Sequence, residues 1–159
     1  MYDLFEQKYS ECEKSLFLIA ISYLHNTEDA KDCVQDATLT AWKSFDKLND
    51  KKYFKTWITR ILINKCKDFI KKQKCTEELT DSIEVFSNFP NEELDIIEGI
   101  CKMSSKTSIY ITLRFYNDMT YEEVAQVLKE PVSTVKYKTN KALLKLKEYL
   151  KGDDKNGVI

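Results

Sequence analysis

The sequence predicts an all-α protein of two small helical domains, a three-helix N-terminal domain and a C-terminal helix-turn-helix domain, joined by an acidic linker. Three observations carry this. Only three glycines and two prolines interrupt 159 residues that are otherwise rich in helix formers. Apolar residues recur at steps of three and four along both halves. Between the halves lies a stretch, residues 76–98, with eight acids and no base. The expected division is therefore 1–75, a linker over 76–98, 99–151, and a tail over 152–159.

The first helical pattern runs from Tyr2 to Leu24, with Leu4, Phe5, Tyr9, Cys12, Leu16, Ile19, Ala20 and Tyr23 on one rhythm that stops at His25 and Asn26. Asn26 or Thr27 caps a second helix, whose inward stripe is Ala30, Val34, Ala37, Ala41, Phe45 and Leu48. Its other side carries Asp29, Asp32, Gln35 and Asp36. The helix dipole accounts for an acid in the first turn, Asp29. Asp32 and Asp36 lie beyond that turn, and a polar acidic ridge there reads as a docking surface for a basic partner.

The third pattern, Tyr53 to Gln73, turns Phe54, Trp57, Ile58, Ile61, Leu62 and Phe69 inward. It leaves Lys55, Arg60, Lys65, Lys67, Lys71, Lys72 and Lys74 to solvent. With the polar loop Asn49 to Lys52 ahead of it, this is the composition that single-stranded DNA binding requires, because bases stack on rings while cations follow the backbone. Spacing alone places Trp57 in the core, so Tyr53, at the loop edge, is the better stacking candidate. The segment Glu77 to Pro90 lacks sustained periodicity and holds Thr80, Ser82, Ser87, Asn88 and Pro90 as breakers. Its apolar Leu79, Ile83, Val85, Phe86 and Phe89 predict short helices docked on a domain, hence a partly ordered linker.

The last element is the most specific. Thr120 can cap a helix and Glu123 can reach back to it, a capping box, and Val124, Ala125, Val127 and Leu128 form the apolar side. A break at Lys129, Glu130 and Pro131 follows, and Pro131 suits the first turn of a new helix, where its missing N–H costs nothing. In that helix Val132, Val135, Thr139, Ala142, Leu146 and Tyr149 share one stripe. Ser133, Thr134, Lys136, Tyr137, Lys138, Asn140, Lys141 and Lys145 face away from it, a mixture suited to phosphates and base edges in a major groove. A solvated lysine face is the plainer explanation. Against it, residues 129–151 hold seven lysines and only two glutamates, so Glu/Lys pairing along the helix is not their purpose.

The net charge of −1 conceals segregation of the two signs. Residues 51–75 hold nine Lys or Arg against Asp68 alone, so with 129–151 the chain has two separated cationic blocks that would attract a polyanion. Five cysteines without a C-x-x-C indicate neither a disulfide framework nor a zinc site. A single histidine, His25, removes most triad and acid–base designs, and no glycine-rich phosphate loop is present. The expectation is a non-enzymatic protein without cofactor, metal or small-molecule substrate. Without a signal peptide or membrane span, it is expected in the cytoplasm.

Two blocks resemble a known family. Asp29 to Asp36, Ala41-Trp42, and Phe54-Lys55-Thr56-Trp57-Ile58-Thr59-Arg60-Ile61 with Asn64 and Asp68 are similar to the second conserved region of extracytoplasmic-function sigma factors. Tyr121-Glu122-Glu123-Val124-Ala125 with Pro131-Val132-Ser133-Thr134-Val135-Lys136 resembles their fourth region. The likeness spans about residues 5 to 150. It implies an alternative sigma factor, with core RNA polymerase and promoter DNA as partners and no active site of its own. By the same resemblance Asp32, Gln35 and Asp36 would bind the clamp helices of the largest core subunit. Asn49, Lys51, Lys52, Tyr53, Lys55, Arg60, Lys67 and Lys71 would capture the −10 element and a base flipped from it. Ser133, Thr134, Lys136, Tyr137, Lys138 and Lys141 would lie on the −35 element. An anti-sigma factor, membrane-anchored in many such systems, is the further partner implied, with control by stress or another signal.

Several positions depart from the family pattern. Ser133 stands for a common glycine, Tyr137 for a serine, and Lys138 and Lys141 for arginines; Cys33 and Thr38 replace a leucine and a phenylalanine. Lysine is a point charge where arginine offers a fork for guanine, which shifts the balance toward phosphate attraction. A stand-alone helix-turn-helix regulator, with the N-terminal half as a dimerisation or ligand domain, is the alternative from a different class.

Overall fold

A computed structural model describes residues 2–73 and 94–157, with side chains described over 95–152 in the second stretch. Every regular element among these residues is helical, and they form two compact units, one on each side of the undescribed segment. The apolar linker positions Leu79, Ile83, Val85, Phe86 and Phe89, together with Lys74 and Cys75, lie outside the described residues.

In the first unit α1 spans Tyr2–Leu24, α2 Thr27–Ser44 and α3 Phe54–Gln73, with short 3₁₀ turns at Phe45–Lys47 and Lys51–Tyr53. The three helices pack pairwise. His25 takes a left-handed φ of 53° and donates its N–H to the Ile21 carbonyl at 2.9 Å, which stops α1. Of the two possible caps for α2 the structure uses Asn26, whose side-chain oxygen accepts the Asp29 N–H at 3.0 Å. Small residues on α2, Ala30, Cys33, Ala37 and Ala41, are buried and let its neighbours approach closely.

The α3 stripe departs from the sequence reading. Phe54, Ile58 and Leu62 are buried as expected, but Thr59, Ile63 and Cys66 join them, while Ile61, Phe69 and Trp57 are only half-buried. The reason is that α3 packs against both α1 and α2, so its buried face is wider than one amphipathic stripe. Leu4, expected inward, is 40% exposed in the first turn of α1.

The second unit holds α4 Leu94–Lys102, α5 Ser105–Ile111, α6 Tyr121–Leu128 and α7 Val132–Gly157. Two boundaries shift. Residues 94–98, assigned to the linker from their acidity, already belong to α4, because Ile97 and Ile100 are completely buried and draw the segment into the core. Residues 152–157, assigned to the tail, continue the backbone of α7. Gly99 explains how closely α4 approaches α7: a Cβ there would stand 2.7 Å from Leu146 Cδ1 and 3.0 Å from Tyr149 Cδ1.

After Ile111 the helix widens into a π turn, Thr112–Tyr116. The Thr120 and Glu123 capping box is present, with bonds of 3.1 and 2.8 Å. Lys129, at φ 57°, ends α6 in the left-handed region, and Glu130 donates its N–H back to Ala125 at 3.0 Å. Val135, Thr139, Ala142 and Leu146 are buried, as the α7 periodicity requires.

Candidate docking and nucleic-acid surfaces

On α2, Asp32, Gln35 and Asp36 are all exposed, at the i, i+3, i+4 spacing that brings them onto one face. Leu39, three residues beyond Asp36, extends that face and is 57% exposed. Trp42 follows at 39% exposure, its ring edge-to-face with Tyr2 and Phe5. Sequence reading found the acids but not these apolar neighbours, because a lone exposed leucine carries no periodic signal. Asp29 is half-buried at the ridge's start; burial first, and then the charge of Asp32, push its carboxyl above the usual range.

The loop before α3 is tightly built. Asp50 accepts the Lys52 N–H at 3.1 Å and so caps the second 3₁₀ turn. Lys51 donates its ammonium to the carbonyls of Phe45 and Leu48, both at 2.6 Å, and sits 4.1 Å from the Phe45 ring centroid. Its charge is therefore held by the loop itself. Lys52 pairs with Asp50 at 3.4 Å, Asn49 is exposed, and Tyr53 is 54% exposed at the loop's end.

At about 100° per residue, Tyr53, Trp57, Arg60, Asn64, Lys67 and Lys71 fall on one side of α3, opposite the core. Arg60, Lys67 and Lys71 are exposed there, and Trp57 is half-buried against Phe54, 5.9 Å between centroids. Lys55 is not brought to this face. It is half-buried on the α1 side, where its charge acts on the Cys12 thiol.

On α7 the same geometry sets Ser133, Tyr137, Asn140, Lys141 and Leu144 furthest from the core, with Tyr137 65% and Leu144 62% exposed. Lys136 and Lys138 flank this strip on opposite sides, and Thr134 is half-buried at its start. Lys136 stands over the Tyr121 ring at 5.7 Å, and Arg114 covers the same ring at 5.0 Å. Arg114, with the exposed Phe115, comes from the π turn, outside the stretch that announced the motif in the sequence. Lys138 is engaged by Glu130 at 3.2 Å, and Lys141 lies 5.9 Å from the Tyr137 ring.

Cys12, Cys33, Cys66 and Cys101 are free and buried, and no metal-binding group of His, Cys, Asp or Glu occurs among the described residues. Burial pushes the Cys12 thiol up to about 11 and the Cys101 thiol up to about 12. No described helix is long and apolar enough to cross a membrane.

The sequence matches two family descriptions in order, Sigma-70 region 2 over residues 9–76 and Sigma-70 region 4 over 102–148. It is 29% identical over 146 residues to RNA polymerase sigma factor SigV of Bacillus subtilis (strain 168), covering 89% of this chain and 88% of that protein. To the ECF RNA polymerase sigma-E factor of Escherichia coli (strain K12) it is 26% identical over 154 residues, with 78% and 80% covered. Among solved structures it shares the fold of sigma factor RpoE from Bartonella quintana, crystallised with the anti-sigma factor NepR. The TM-score is 0.78 at 23% identity, over 92% of this chain and 96% of that one. CnrH, in complex with the cytosolic domain of CnrY, is similar at a TM-score of 0.66 and 24% identity, covering 94% and 88%.

Proposed function

Given that the chain belongs to the extracytoplasmic-function sigma factors, we propose that three of its surfaces divide the work of promoter-specific initiation. The α2 ridge docks on core RNA polymerase, through Asp32, Gln35 and Asp36 with Leu39 as the apolar centre of the contact. The loop and outward face of α3 hold the −10 element as a single strand. Tyr53 and Trp57 offer rings to bases, and Arg60, Lys67 and Lys71 follow the backbone. Asn49 and Lys52 border that strand, Lys51 keeps the loop in shape, and Lys55 lies aside from it. In the second unit Ser133, Tyr137 and Lys141 enter the −35 major groove, while Lys136 and Arg114 meet phosphate beside it.

One observation carries this reading: exposed cations line one face of α3 and one of α7, in separate units, while the exposed carboxylates of α2 occupy a third. The protein takes part by binding and carries out no chemistry of its own. It works in the cytoplasm, where core polymerase is. A protein inhibitor of the anti-sigma kind is its regulator, as NepR and CnrY are the partners of RpoE and CnrH. Such an inhibitor would cover the same ridge and cationic faces, and any tether to the membrane would come from it.

The test is a reconstitution. Purified protein added to core polymerase should give specific transcripts from promoters of its own genome, and Asp32→Ala with Asp36→Ala should weaken core binding about tenfold or more. Duplex binding should be untouched by that change. Unaltered core affinity removes the ridge from the interface. Specific duplex binding in the absence of core, without any transcript in its presence, would instead favour a stand-alone regulator.

A further inference from the structure

The two lysines that flank the outward strip of α7 are held differently. Lys136 rests on an uncharged ring, Tyr121, and keeps its full charge available to an approaching anion. Lys138 is already paired. Its ammonium donates to Glu130 Oε1 at 3.2 Å and lies 5.5 Å from the centroid of Tyr110. The same Tyr110, 4% exposed on α5, turns its hydroxyl to both Glu130 oxygens, at 2.9 and 2.8 Å. Glu130 sits in the turn between α6 and α7 and is thus anchored by a buried phenol twenty positions away in sequence.

We propose that Glu130 is a positioning residue that withholds Lys138 from DNA, so that this flank of α7 engages only where a phosphate is placed well enough to displace the carboxylate. The inference rests on α7 being the duplex-binding helix. An ion pair this exposed is weak, with 44% of the lysine side chain and 25% of the glutamate side chain accessible, so a well-seated phosphate can take the ammonium over. A loosely docked duplex cannot displace the carboxylate and so gains nothing on that side. The consequence is lower non-specific affinity on the Lys138 flank alone.

The experiment is a double-mutant cycle on the full chain, read by fluorescence anisotropy with a short labelled duplex of arbitrary sequence across a salt series. Glutamine keeps an oxygen for the Tyr110 hydroxyl, so Glu130→Gln leaves the anchor in place. It should tighten binding about three- to tenfold and steepen the salt slope by up to about 0.9. In a Lys138→Ala background the same substitution should change affinity less than about twofold and leave the slope alone. An equal gain in both backgrounds would mean that Glu130 acts by general repulsion, and weaker binding with Lys138 present would mean that it aims the lysine at DNA. Either result overturns the proposal while leaving α7 on the duplex. If the unmutated chain bound no duplex even at low salt, the assignment of α7 itself would fail first.

Discussion

In the first unit a cluster of phenylalanine rings fills the interior, whereas in the second the rings of Tyr121 and Tyr137 sit near the surface beneath cations. Phe45 lies 5.2 Å from Phe5 and 5.8 Å from Phe54, all edge to face, and Lys51 links this cluster to the loop that presents Tyr53. The second unit has an aliphatic core of Ile97, Ile100, Ile111, Leu113, Val124, Val135 and Leu146, closed up by Gly99 and Ala142. Three of its rings, Tyr110, Tyr121 and Tyr137, each carry a lysine or arginine above them. The phenylalanine cluster of the first unit is therefore expected to matter for stability, and the exposed or half-buried tyrosines of the second for where charge is held.

The sharpest way to break that contrast is Phe45→Ala. The ring is 1% exposed, and its loss should destabilise the first unit by about 3–5 kcal/mol. Trp42 and Trp57, the chain's two tryptophans, both lie in this unit, so denaturation followed by tryptophan fluorescence reports on it. A change below about 1 kcal/mol would deny the cluster its role.

Next in size is Gly99→Val, which tests whether the second unit depends on close helix contact. Its Cβ would press on Leu146 and Tyr149, and overpacking of this kind costs about 1–3 kcal/mol, measurable by urea unfolding followed by far-UV circular dichroism. Unchanged stability would show that α4 can lift away from α7 freely.

Tyr121→Leu should have the smallest effect on folding, below about 1 kcal/mol, because the ring is only half-buried. Losing a platform for both Arg114 and Lys136 should nonetheless weaken duplex binding about two- to fivefold. A large drop in stability with intact DNA affinity would erase the distinction between the two units.

Much of this architecture was legible in the chain itself. The capping box at Thr120, the break at Pro131 and the α7 stripe are local patterns, decided by hydrogen bonds and periodicity within a few residues; the first two appear as read, and the stripe is buried at Val135, Thr139, Ala142 and Leu146 while Val132 and Tyr149 are half-buried. Elements with two neighbours were harder. The inward set of α3 widened to Thr59, Ile63 and Cys66 because two helices cover it, and an amphipathic reading assumes one buried direction. The acidic residues 94–98 hid the start of α4, since charge outweighed the one isoleucine, Ile97, that is buried there.

For the surfaces, sequence alone determined which residue types were available and on which side of each helix they would emerge, because helical periodicity fixes direction from spacing. Sequence could not determine what each cation would find on emerging. Lys51 meets two carbonyls of its own loop, Lys138 meets Glu130 and Tyr110, and Arg114 reaches Tyr121 from the π turn. Whether a lysine is offered to a partner or kept by the fold depends on contacts between separate elements, and those are decided only when the helices pack.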